Sequence, residues 1–259
     1  MTPVSVGIIG RTAWYADATL GNNNAGYHNS VFRGKNLGTS YTAAQKSQIT
    51  GGTFNDIFVG DYWVINNKTW RIWGLDWYLR NGNTETTAHH AVIIPDTCLL
   101  AGDGSTTHYM NDTDTTTGGY KATKMRETYL PQCLTMVEAA FGASNILAHR
   151  EYITNAVSNG KASGCEWLET KIEVPNEVMM YGSVAWGEAD YNSGRNVGTL
   201  KTRLPLARLA PHLISNRQTY WLRDVVSASD FAAVLRHGDA GSRGASSANP
   251  GVRPFFLLS

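Results

Sequence analysis

Runs of β-branched and aromatic residues dominate the chain from Phe58 onward. Phe58-Val59-Gly60-Asp61-Tyr62-Trp63-Val64-Ile65 and Thr69-Trp70-Arg71-Ile72-Trp73-Gly74-Leu75-Asp76 flank Asn66-Asn67-Lys68. Two such runs about a short Asn-containing turn predict a β-hairpin. His90-Ala91-Val92-Ile93-Ile94-Pro95 predicts a buried strand stopped by its proline. Helical signals are fewer. Residues 42–49 combine an N-cap at Thr42, Gln45 at the capping-box position and Gly51-Gly52 as a stop. Residues 124–130 and 134–142 also predict helices, the second with apolar groups at helical spacing and Gly142 as its stop. Residues 149–157 predict a short helix ending near Gly160, 181–198 read as loop, and 204–212 are bounded by Pro205 and Pro211. The sum is an α+β chain with short strands, long loops and no internal repeat.

The C-terminal end divides into two kinds of sequence. Tyr220-Trp221-Leu222-Arg223-Asp224 and Gly251-Val252-Arg253-Pro254-Phe255-Phe256-Leu257-Leu258 are aromatic and apolar, and such groups must be buried to stabilise a fold. Residues 227–249 between them follow neither a period of 2 nor one of 3.6. A fixed frame carrying a recognition insert is the expected arrangement, with Trp221, Val252, Phe255 and Phe256 as core.

Composition narrows the class. A hydrophobic share of 42% with 17% charged residues, 26 Gly and 8 Trp favours a loop-rich globule over a helical bundle. With 259 residues one main domain is expected. The net charge is +1 and no Lys/Arg cluster appears along the chain, so neither nucleic acid nor anionic lipid is an expected partner. Cys98, Cys133 and Cys165 lack metal-ligand spacing, and their odd number opposes a fully paired disulfide framework. The first residues are only briefly apolar and lack a basic leader, and no run reaches membrane-spanning length. Folding in a cytoplasm, without a signal peptide, is expected. Residues 1–40 are rich in Gly, Asn and scattered aromatics, which suggests an attachment or oligomerisation arm.

Several constellations invite chemistry, and each has a structural reading beside it. His89-His90 could serve a metal or a proton transfer, yet neighbours in a strand point to opposite faces. Asp112 and Asp114 could hold calcium, but the loop lacks EF-hand spacing and suits turn capping. Glu173-Val174-Pro175-Asn176-Glu177 is near the sugar motif of calcium-dependent lectins, with Val174 intervening and no Trp-Asn-Asp string to match. No nucleophile elbow assembles a triad. Formylglycine-generating chemistry needs late cysteines, and Cys165 is the last. No catalytic residue, metal site or cofactor is therefore expected.

One ordered set of strings carries a resemblance. It comprises Gly60-Asp61-Tyr62-Trp63, Trp70-Arg71-Ile72, His89-His90-Ala91-Val92-Ile93-Ile94-Pro95, Met110-Asn111 and Thr115-Thr116-Thr117-Gly118-Gly119-Tyr120. Met125-Arg126, Tyr220-Trp221-Leu222-Arg223 and Gly251-Val252-Arg253-Pro254 complete it. From about residue 50 to the end, the chain resembles a domain family of phages and prophages of gut Firmicutes with a divergent C-type-lectin fold. Its C-terminal layout is also similar to the variable proteins of diversity-generating retroelements, of which phage tropism determinants are the type. Mutagenic copying there randomises adenines, and an Asn codon ending in a pyrimidine cannot become Lys, Glu, Gln, Met or Trp. Residues 224–259 contain none of these five types.

With the compositional arm set at residues 1–45, the resemblance implies a C-type-lectin-like display domain over 46–259 and a variable-type region at about 224–253. It implies a non-enzymatic protein on the phage particle that binds a host-surface protein or glycan, packs with other virion proteins and assembles as a homotrimer. Ligand contact is expected at Ser227, Ser229, Phe231, Leu235, Arg236, His237, Asp239, Ser242, Arg243, Ser246, Ser247 and Asn249. Within that set 235–239 with Ser242 and Arg243 has the mixture of apolar, cationic and hydrogen-bonding groups typical of binding hot spots. The alternatives are a capsid or tail decoration protein without a dedicated ligand, and a carbohydrate-active enzyme whose many Trp residues would stack on sugars.

Overall fold

The last strand of the chain lies in the middle of the main sheet. A computed structural model describes residues 23–102, 104, 107–187 and 202–259. In chain order its first elements are α1 (Ala25–His28), α2 (Ala43–Thr50), β1 (Tyr62–Ile65), β2 (Lys68–Leu75), β3 (Ala91–Pro95) and α3 (Leu130–Phe141). β4 (Ile146–Leu147), β5 (His149–Ser158), β6 (Lys161–Thr170), β7 (Ile172–Glu173), α4 (Glu177–Tyr181) and α5 (Pro205–Leu209) follow. β8 (Tyr220–Val225), β9 (Asp230–Val234), β10 (Ala240–Gly244) and β11 (Phe255–Leu258) end the chain. The architecture is mixed α/β with antiparallel sheets and few helices. The main sheet runs β1-β2-β3-β11-β4, with β7 beside β4 on the same edge of β11; β10-β9-β8 and β5-β6 form two smaller sheets.

Local chemistry explains most elements. Asn66 and Asn67 both adopt positive φ, 53° and 58°, which closes the expected β1–β2 hairpin with a turn matching the strands' twist. At α2 the Thr42 hydroxyl accepts from the Gln45 amide while the Gln45 side chain accepts from the Thr42 amide, the reciprocal cap expected there. The two helices expected between 124 and 142 are one continuous element, a π-turn at Met125–Tyr129 running into α3. The helix expected at 149–157 is instead strand β5. Asn159 at φ 52° and Gly160 at φ 74° turn the chain back into β6, and His149, Glu151 and Ile153 are buried on alternate positions. That period of 2, with a left-handed Asn-Gly turn, outweighs the weak helical spacing.

Strand β11 separates two apolar clusters. Phe256 and Leu258 join Trp63, Trp70, Phe141 and Trp221, while Phe255 and Leu257 join Trp73, Ile94, Tyr220 and Leu222. Trp70 and Phe141 meet the Phe256 ring edge-on or tilted at centroid distances of 5.9 and 5.4 Å. Trp221, Val252, Phe255 and Phe256 are all fully buried, as expected of a frame. The described part of the N-terminal region also packs on this domain. His28 Nδ1 lies 2.6 Å from the Ile57 carbonyl, Phe32 bridges Val59, and Arg33 holds the buried carboxylate of Asp61. Residues 1–22, the rest of the expected arm, lie outside the described residues.

The buried Glu151 carboxylate is neutralised in place. Arg223 donates to Glu151 at 2.7 Å, and Tyr78 and His149 bond the other Glu151 oxygen. Burial alone would raise the Glu151 pKa, but the Arg223 charge and the bonds from His149 and Tyr78 bring it down to about 2. A carboxyl depressed in the folded state adds stability above its unfolded pKa and loses it as pH falls through the folded value. Glu151→Gln, which strands the buried Arg223 charge, will therefore lower stability at neutral pH by about 3–5 kcal/mol. Urea unfolding will show the gap between variant and wild type closing as pH falls from about 4.5 towards 2. A gap that stays constant over that range would sink the ion-pair assignment.

Candidate functional site

The segment at 227–249 is a folded hairpin. β9 pairs with β8 on one edge, Val225 opposite Phe231 and Tyr220 opposite Val234, and with β10 on the other, Asp230 opposite Gly244 and Val234 opposite Ala240. Both faces of β9 are covered. Ala232 and Val234 pack with Tyr220 and Leu222, and Phe231 packs with Trp221 and Val225. Phe231 is fully buried. Its assignment as a ligand contact is thus corrected: a central strand with two covered faces must bury its large apolar side chain, so Phe231 belongs to the support.

The remaining expected contacts fall into separate groups. Ser227 and Ser229 shape the β8–β9 turn, where the Ser227 hydroxyl accepts from the amides of Ser229 and Asp230. Ser246 donates its amide and hydroxyl to Asp114, at 2.9 and 2.7 Å, and the Ser247 amide bonds the Gly244 carbonyl. Ser242 adjoins Asp230, with its neighbour Arg243 on the opposite face. Asp239 is exposed in the hairpin loop. Leu235, Arg236, His237, Arg243 and Asn249 come together. They line an open cleft of about 660 Å³ with Gly102, Arg217, Gln218 and Thr219.

The walls of this cleft are tied to one another. Ser215 donates its hydroxyl to the Arg236 carbonyl at 2.8 Å and accepts the Arg217 amide at 3.3 Å, joining the loop before β8 to the hairpin tip. Tyr181 donates to the Gly238 carbonyl at 3.0 Å. Gly238 has φ 96°, a left-handed conformation that favours glycine, and a Cβ there would sit 3.3 Å from Ser215. Arg217 adopts φ 64°, an uncommon value for a residue with a side chain, and so turns the chain at the mouth. Gly102 passes so close to 249–251 that a Cβ would lie 2.2 Å from their backbone. Arg236 donates Nε–H to His237 Nε2 at 2.9 Å, which makes that ring nitrogen an acceptor. Arg243 donates to the Ser242 carbonyl at 2.7 Å. The arrangement offers cationic forks, neutral amides and a hydroxyl on a braced rim.

The other constellations are absorbed by the scaffold. His90 is buried; its Nδ1–H faces the Ala88 carbonyl and its Nε2 accepts the Tyr78 amide, while burial lowers its pKa to about 4 and keeps it neutral. His89 bonds Asp76 at 2.6 Å. Asp112 pairs with Lys124 and Asp114 caps the Ser246 turn. Glu173 is buried between the Tyr120 hydroxyl and Arg126, Asn176 caps α4, and Glu177 accepts amides of Ala185, Trp186 and Gly187 at 3.0 Å. Asp224 accepts the Glu177 amide at 2.7 Å, and burial followed by the Glu177 charge pushes its carboxyl well up. The loop expected at 181–198 lies outside the described residues beyond Gly187.

Arg217, Gln218, Thr219 and Gly102 were not legible as site residues. They lie outside the irregular insert, and Arg217 is 19 positions before Arg236 and 26 before Arg243. A cationic cluster thus exists in space where none exists along the chain. No protein-family model, no curated protein and no solved structure matches the chain. No helix among the described residues is long and apolar enough to cross a membrane.

The division between support and rim has a thermodynamic signature. Replacing Arg236, His237 and Arg243 together by Ala will change the unfolding free energy by less than about 1 kcal/mol, as solvent-facing substitutions do. Phe231→Ala and Trp221→Ala will each cost about 3–5 kcal/mol, as large core truncations do. Urea denaturation of the three proteins checks this, and strong destabilisation by the first set would mean that the rim is core.

Proposed function

We propose that this chain is a non-enzymatic display protein of a phage or prophage, built on a C-type-lectin-like domain whose 217–249 cleft binds a host-surface ligand. The observation that carries the reading is the split within one hairpin: β9 is buried while Leu235, Arg236, His237 and Arg243 line an open cleft braced through Ser215 and Tyr181. A binding surface that changes its side chains must do so without unfolding the domain, and this split permits that. The strings behind the family resemblance also coincide with the frame. Asp61, Trp63, Trp70, Tyr120, Trp221, Arg223 and Arg253 are all buried.

On the particle, a homotrimer would convert modest affinity at each cleft into avidity. Carboxylates suited to glycoside chemistry would have to open on a common cleft. Glu169 and Glu173 do line one cleft, but Glu173 is fully buried and committed to Arg126 and the Tyr120 hydroxyl, and Glu151 is committed to Arg223, so binding is favoured over hydrolysis.

Flow cytometry of the labelled protein against a panel of gut bacteria tests the reading. Wild type will stain a subset of strains, and an Arg236→Ala/Arg243→Ala variant of unchanged melting temperature will lose that staining. Equal staining by both would move the function away from the cleft, and no staining of any strain would favour a decoration role. Hypervariation has its own check in the genome: a neighbouring reverse transcriptase and a near-copy of the segment encoding 220–255 that differs at adenines. Related genomes with this stretch unchanged and no copy would remove the diversification claim.

A further inference from the structure

We propose that the group read by this cleft is an oxyanion on a surface glycan, a carboxylate or phosphate held by Arg217, Arg236 and Arg243. The inference rests on the cleft being the reading surface. Three guanidiniums line one cleft, and no carboxylate-bearing residue is among its described lining. Elsewhere among the described residues Arg33, Arg71, Arg126 and Arg223 each face an acidic partner, whereas Arg80, Arg150, Arg203, Arg208 and Arg253 do not, so what sets the cleft apart is three such arginines lining one opening. Among the described residues Arg217, Arg236 and Arg243 form no ion pair.

Arg236 and Arg243 each keep uncommitted donors. Arg236 spends Nε–H on His237 and Arg243 spends one Nη on a backbone carbonyl, which leaves the terminal nitrogens of the first and the Nε side of the second. A planar guanidinium fork matches the paired oxygens of a carboxylate or phosphate. Bringing three cations together costs Coulomb energy that an anion would relieve. The rest of the lining suits a polyol: Gln218 and Asn249 supply amides, Thr219 a hydroxyl, and Leu235 an apolar contact for ring carbons. No Phe, Tyr or Trp lines the cleft, so it lacks the stacking platform that single-stranded nucleic acid requires.

Calorimetry with four probes decides the matter: an oligogalacturonate, its methyl ester, a glycerol-phosphate oligomer and oligodeoxythymidylate. The expected result is that the oligogalacturonate or the glycerol-phosphate oligomer binds at least about tenfold more tightly than the uncharged ester, with affinity falling as salt rises. Which of the two prevails tells carboxylate from phosphate. An Arg236→Gln/Arg243→Gln protein of unchanged melting temperature will weaken binding of that probe by about tenfold for each guanidinium lost. Equal binding of the ester, failure of both anionic glycans, or equally tight binding of the oligodeoxythymidylate would overturn the inference. Staining of bacteria separates the two readings. If the double variant loses staining while the anionic probes fail, the anion inference falls alone; if staining ignores the double variant, the display reading falls with it.

Discussion

Strand β11 closes the fold, and the rest of the structure depends on where it sits. Its four residues pair with β3 on one side and with β4 and β7 on the other, so a strand far along the sequence from its partners lies at the centre of the main sheet. Strict alternation sends Phe256 and Leu258 into one apolar cluster and Phe255 and Leu257 into the second. Neither cluster is complete without it. The pairings are also remote in sequence, a topology that places loop-closure entropy before reward and is characteristic of slower folding.

Buried arginines secure what β11 closes. Arg253, next but one before it, donates to the carbonyls of Pro95, Leu213 and Ile214 and lies over the Trp73 and Tyr220 rings at 5.2 and 5.1 Å. One side chain thereby satisfies backbone acceptors from two distant segments that burial would otherwise leave unpaired. Arg223, within β8, is held instead by the buried carboxylate of Glu151. These two arginines serve the frame, whereas Arg217, Arg236 and Arg243 occupy the rim. The same residue type has opposite roles because burial demands a partner and exposure does not.

This separation lets a solvent-facing rim and a stable core share one hairpin. β9 contributes Phe231 and Val234 to the core, and the turn that follows it projects Arg236 and His237 against a loop held by Ser215. Side chains on the rim can change at little energetic expense, while those of β9 cannot. Rigid support beneath adaptable contacts lowers the ordering entropy lost when a ligand binds.

Much of the support was readable from local chemistry. The Asn66-Asn67 hairpin, the Thr42/Gln45 cap, the strand at 91–95 and the buried Trp221 and Phe256 follow from turn preferences, capping and apolar area, which act over a few residues. The 3.6-like spacing of β5 is ambiguous along the sequence, and only pairing with β6 selects the strand. At Phe231 the insert's lack of period conceals a strand that is covered on both faces. For this protein the sequence by itself determined an aromatic frame with an irregular insert near its end. Only tertiary structure decided that β9 belongs to the frame and that Arg217 lines one cleft with Arg236 and Arg243, because burial and electrostatic fields depend on distance in space rather than along the chain.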